Sequence, residues 1–108
     1  MKRQLQMTVY LNEADRLGDF PLHEELLRRI FHEHAPGATV FRGWMGFGRH
    51  AFLHRQGLFG VSDDHPMAIV VIGEPERIRA LLGRVKEIAP DTLVTLHEVE
   101  VFAPDVLR

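Results

Sequence analysis

A chain of 108 residues with 45% hydrophobic content, no cysteine and a formal net charge of -2 has the length of one domain with a modest core. The lack of thiols excludes disulfide frameworks, thiolate zinc sites and cysteine nucleophiles, and the small net charge gives no general pull toward nucleic acid or membrane. No apolar run reaches the roughly 18 residues of a membrane span, and Lys2 and Arg3 lead into an alternating segment rather than a signal-peptide core, so a cytoplasmic, soluble protein is expected.

Residues 4–12 alternate strictly, with Leu5, Met7, Val9 and Leu11 on one face and Gln6, Thr8 and Tyr10 on the other, which predicts a first strand. Asp19 and Pro21 then announce a helix, because proline is tolerated in a first turn whose N–H groups lack partners anyway. Leu22, Leu26, Leu27, Ile30 and Phe31 form its apolar stripe, and Pro36-Gly37 ends it. Residues 38–45 are strand-like, carrying Val40 and Phe41, and a glycine-rich connection follows as far as Pro66. Residues 67–72 are wholly apolar and rich in β-branched side chains, the pattern of a central strand. Glu74-Pro75-Glu76 opens a second helix with Ile78, Leu81, Leu82, Val85 and Ile88 at helical spacing, Ala89-Pro90-Asp91 closes it, and residues 92–102 are the last strand.

The order βαββαβ across residues 1–108 predicts a single α+β domain of the ferredoxin-like kind, a four-stranded antiparallel sheet with both helices on one face. The other face is left open. Ala68, Val70 and Ile72 would make it apolar, so burial against further copies of the chain is expected. In the last strand Val94 and Leu96 share a face with Glu98 and Glu100, whereas Val99 and Val101 are apolar on the other. A bulge, or a handover from one subunit's core to a neighbour's, accounts for the slip.

Between Glu33 and Asp63 there is no acidic residue, where an even spread of acids would place about four. The same window holds Arg42, Arg49, Arg55, His34, His50 and His54, together with Gly43, Gly46, Gly48, Gly57 and Gly60. Its densest part is FRGWMGFGRH, residues 41–50. Glycines allow positive φ and let N–H groups converge on phosphate oxygens; Arg42 and Arg49 could clamp an anion, and Trp44 or Phe47 could stack on a base. The bland alternative is an irregular turn with packed aromatics. The spacing is not the dinucleotide-binding fingerprint, which must turn from a strand into a helix.

His32 and His34 point in different directions on a helix. His50 and His54 would suit a metal only in a helical segment and have no obvious third ligand; otherwise they add positive charge near neutral pH. Ser62, Asp63, Asp64 and His65 include the residue types of a catalytic triad, but adjacent residues rarely converge on one reacting atom and there is no nucleophile elbow. Asp63 and Asp64 are better read as ending the connection. An enzyme is not expected.

The chain resembles the PII-like signalling proteins, in particular an uncharacterised bacterial and archaeal branch with an RGxxGFG segment. The matching pieces are VYLNEADR, PLHEELL, GATVFRGWMGFG, SDDHPMAIVVI, ERIRALL and LVTLHEVEV, in the expected order over nearly the whole chain. The resemblance implies a homotrimer whose sheets pack around a central axis, with adenine nucleotides or similar small anions bound in clefts between subunits. It also implies a recognition loop, here about 46–65, through which ligand state controls a partner protein; a membrane channel or transporter is the implied partner class, and nucleic acid is not. Ligand contacts are expected from Arg42, Gly43, Gly46, Phe47, Gly48 and Arg49, and loop functions from His50, His54, Arg55 and Ser62. The glycine-rich phosphate loop of the better-known PII proteins is replaced by Ala89-Pro90-Asp91, and the single tyrosine, Tyr10, lies in a strand, which excludes tyrosyl modification in the loop. No obligatory cofactor or bound metal is expected. The alternative is a trimeric metal-binding or metal-tolerance protein that uses the loop histidines.

Overall fold

In the computed structural model, which describes residues 2–48 and 64–103, the elements in chain order are β1 (Lys2–Asn12), β2 (Arg16–Leu17), β3 (Phe20–Pro21), α1 (Leu22–His32), β4 (Ala38–Arg42), β5 (Pro66–Gly73), α2 (Pro75–Ile88) and β6 (Leu93–Val101). The four long strands form an antiparallel sheet in the order β4-β5-β1-β6. This is the ferredoxin-like α+β arrangement read from the sequence. Period-2 alternation decides which side chains meet the helices: Leu5, Met7, Val9 and Leu11 from β1 and Met67, Ile69 and Val71 from β5 form one core with Leu22, Leu26 and Ile30 of α1 and Ile78, Leu81 and Val85 of α2. Both helices therefore lie on the same face.

None of the described elements covers the opposite face. Register partners align Phe41, Ala68, Tyr10 and Leu93 in one row across all four strands, and Phe41, Tyr10 and Leu93 are 56%, 45% and 63% exposed. Thr39, Val70, Thr8 and Thr95 form the next row. An apolar band of this kind across an open sheet marks a surface for association.

Several sequence expectations need correction. The segment before α1 is not a simple helix entry: Arg16–Leu17 pairs with Phe20–Pro21 in a small hairpin, turned at Gly18 with φ 62, a conformation that glycine adopts without the Cβ clash other residues meet. Pro21 accordingly stands before the first turn, in an extended conformation. Phe31 is 75% exposed and is not part of the apolar stripe; its helical position turns it away from the sheet, while Glu25 is buried instead. The helix ends at His32, so His34 lies outside it at φ 63. There Ala35 N–H reaches the Ile30 carbonyl and His34 N–H the Phe31 carbonyl, the pairing that closes a helix through a left-handed residue.

The second long strand stops at Arg42 rather than near residue 45: Gly43 N–H still donates to the Pro66 carbonyl at 2.6 Å, but proline has no N–H to return the bond. The register of β1 with β6 runs unbroken from Lys2↔Val101 to Tyr10↔Leu93, so there is no bulge. The polarity slip falls where the core ends: Leu5 is the last buried β1 residue at that end. Glu98, opposite Leu5, faces water on the helix side and pairs with Arg3 at 3.8 Å. Among the described residues no helix is long and apolar enough to cross a membrane.

Candidate functional site

Three chain segments meet at one end of the sheet: the exit of β1, the exit of β4 and the entry of β5. Their convergence follows from register, since β1 pairs Asn12 with Pro66 while β4 pairs Arg42 with Met67. Backbone bonds tie them together. Glu13 N–H donates to the His65 carbonyl at 2.8 Å, and Gly43 N–H to the Pro66 carbonyl. Ala14 N–H donates to the Asp64 carboxylate at 2.9 Å, which places Asp64 at the end of the connection as the sequence suggested.

On this frame sits a cluster of three side chains. Arg42 Nε and Nη2 both lie 3.2 Å from Glu13 Oε1, and Nη2 is also 3.0 Å from His65 Nδ1. His65 Nδ1 is in turn 3.1 Å from Glu13 Oε1. Nδ1 carries either a proton or a lone pair, so it can donate to Glu13 or accept from Arg42, never both at once. Burial alone would raise the Glu13 pKa, but hydrogen bonds from His65 and Arg42 and their positive charges outweigh it and hold the carboxyl below its ordinary value. Arg42 is thus the expected cation at the base of the connection, but an internal carboxylate already sits on it. Glu13 is the residue that sequence reading missed.

The glycines have a steric role here. A Cβ on Gly43 would stand 2.8 Å from Pro66 Cγ, and one on Gly46 3.3 Å from the same atom, whereas Gly48 has open space around it. Neither Gly43, Gly46 nor Gly48 adopts positive φ, and the Gly43 N–H is engaged with Pro66. The turn therefore packs on a proline rather than forming a preset anion nest. Trp44 and Phe47 are 85% and 81% exposed, so neither is a core residue of the single chain. Arg49, His50, His54, Arg55 and Ser62 lie outside the described residues. No group of three or more His, Cys, Asp or Glu able to hold a metal occurs among the described residues.

The sequence profile of the DUF190 family, described as uncharacterized ACR, matches residues 4–101. A UPF0166 protein of Aquifex aeolicus (strain VF5) is 30% identical over 101 residues, 94% of either chain. Among solved structures, CPII from Thiomonas intermedia K12 bound to ADP, AMP and acetate superposes with a TM-score of 0.64 at 18% identity, covering 94% of this chain and 91% of that one. The apo form of CPII, a nitrogen regulatory PII-like protein, gives a TM-score of 0.64 at 17% identity over 95% and 96% of the two chains. The fold is PII-like.

Proposed function

The chain belongs to the DUF190 family, and from that membership and its PII-like fold we propose that it is a regulatory protein that binds a small anionic effector, an adenine nucleotide, beside Arg42. In this reading the bare sheet faces pack together in a homotrimer, the effector occupies clefts between subunits, and the connection of residues 43–65 carries ligand state to a partner protein. A membrane channel or transporter is the partner class in keeping with the family resemblance. The protein is not an enzyme in this reading.

The observation that carries the proposal is the position of Arg42. Its guanidinium is half-exposed at the junction of three segments, in a stretch without acids of its own, and two exposed aromatics follow it within five residues. Paired guanidinium donors suit phosphate oxygens, and an aromatic face suits a base. CPII, of the same fold, was solved with ADP and AMP. Binding can change the state of the connection only through differential affinity for its states; contacts at its base supply the place where that difference would arise.

The test is isothermal titration of the purified protein, with its mass measured in solution, against AMP, ADP, ATP and cyclic AMP. Saturable binding of one of them near one per chain, weakened in Arg42→Ala, is the expected result. No saturable binding of any nucleotide overturns the effector assignment, and a monomeric mass overturns the trimer.

A further inference from the structure

We infer that Glu13 is a built-in competitor for the effector: its carboxylate occupies the oxyanion position on Arg42 and His65, and an incoming phosphate group takes those donors from it. The inference rests on the reading of Arg42 as an anion-binding residue and adds what holds that residue in the unliganded chain.

Glu13 Oε1 receives the two Arg42 contacts and faces His65 Nδ1. One oxygen thus takes three donors or potential donors, which is what a phosphate oxygen would find there. The carboxylate is not locked in place. Its side chain is 30% exposed and that of Arg42 56%, so water reaches both and the pair is of the weak, displaceable kind. Glu13 also lies directly beyond the end of β1, where its backbone N–H is held by the His65 carbonyl. The side chain can swing out while the backbone junction stays intact.

The chemistry selects for a strong oxyanion. A neutral ligand brings no charge to replace that of Glu13 on Arg42 and does not displace it. A group with two negative charges and several oxygens, such as a terminal phosphate, outbids a single carboxylate because it brings a second charge and further acceptor oxygens to the same Arg42 and His65 donors. Glu13 therefore acts as a specificity filter: it raises the threshold charge that a ligand needs, and it satisfies the guanidinium when no ligand is bound.

The test titrates ADP, ATP and inorganic phosphate into the wild type, Glu13→Gln, Arg42→Ala and the double variant, at fixed pH and ionic strength. Glutamine keeps the size of the side chain and removes its charge. The expected result is about fivefold tighter binding in Glu13→Gln, the size of a partly exposed charge pair, weaker binding in Arg42→Ala, and no gain from Glu13→Gln in the Arg42→Ala background. If Arg42→Ala weakens binding but Glu13→Gln does not tighten it, the competitor is overturned while the effector site stands. If Arg42→Ala binds like the wild type, the site itself has been misplaced. A gain that persists without Arg42 shows a general charge effect and overturns the inference. So does a Glu13→Gln variant that binds none of the three probes, because a freed Arg42 beside His65 must then hold an oxyanion.

Discussion

Gly43 and Pro66 meet at backbone distance: the glycine N–H donates to the proline carbonyl at 2.6 Å, and the missing Cβ would stand 2.8 Å from the proline ring. Proline cannot swing aside as a flexible side chain would, so any residue larger than glycine forces the two segments apart. Gly43→Ala should destabilise the protein by about 1–3 kcal/mol, the usual cost of overpacking, whereas Gly48→Ala, with open space around it, should leave stability unchanged. Urea unfolding of the two variants checks this; equal midpoints would remove the steric account.

Glu13 makes stability depend on acid. Its folded pKa lies below the ordinary 4.5, so its contribution is fully present above that value and is lost as pH falls through the lower folded value. Glu25, held down by its hydrogen bonds from Arg28, and Glu74, held down by Lys2, act in the same direction. Unfolding midpoints measured from neutral pH downward should decline below about pH 4.5, and Glu13→Gln should flatten part of that decline. A variant whose curve parallels the wild type would show that Arg42 and His65 do not stabilise the carboxylate.

His34 closes α1 at φ 63, a left-handed conformation in which a Cβ meets the carbonyl oxygen. Its carbonyl accepts from Arg77 Nη1 at 2.7 Å, a bond made by the backbone and independent of the side chain. His34→Gly should therefore stabilise the protein by about 1 kcal/mol. A melting temperature at or below that of the wild type would contradict this reading of the cap.

Tyr10 sits in the middle of the exposed row formed with Phe41, Ala68 and Leu93. Tyr10→Lys would bury a charge in any interface formed there, at a cost that desolvation makes large. Light scattering after size exclusion should show a lower mass, with the circular dichroism of the folded chain retained. An unchanged mass would place the subunit contact elsewhere.

The sheet, both long helices and the core were legible because period-2 and period-3.6 patterns are local, and residues such as Met7, Ile69 and Val85 announce their faces within a few positions of themselves. The hairpin at Arg16–Leu17 and Phe20–Pro21 was not, since strands of two residues are too short to show a period. Phe31 misled because hydrophobicity alone cannot distinguish a residue at the margin of a helical stripe from one in it. At the site, the acid-free window marks Arg42, but the carboxylate that binds it lies 29 positions upstream. A window of local charge is blind to a partner delivered by strand pairing. The signal was nonetheless available: with the βαββαβ order in hand, antiparallel pairing of the first and third long strands sets the residue after Asn12 beside the residue before Pro66.

The bond between Gly43 and Pro66 has a consequence for how such proteins diversify. It staples the two ends of the β4–β5 connection to one point of the scaffold, so whatever is inserted between them begins and ends at a fixed socket. Doubling the length of a flexible insert adds only about 0.6 kcal/mol of closure cost. Sequence and length there can be changed by design while the sheet below keeps its register, making the connection an exchangeable cassette on a fixed mount.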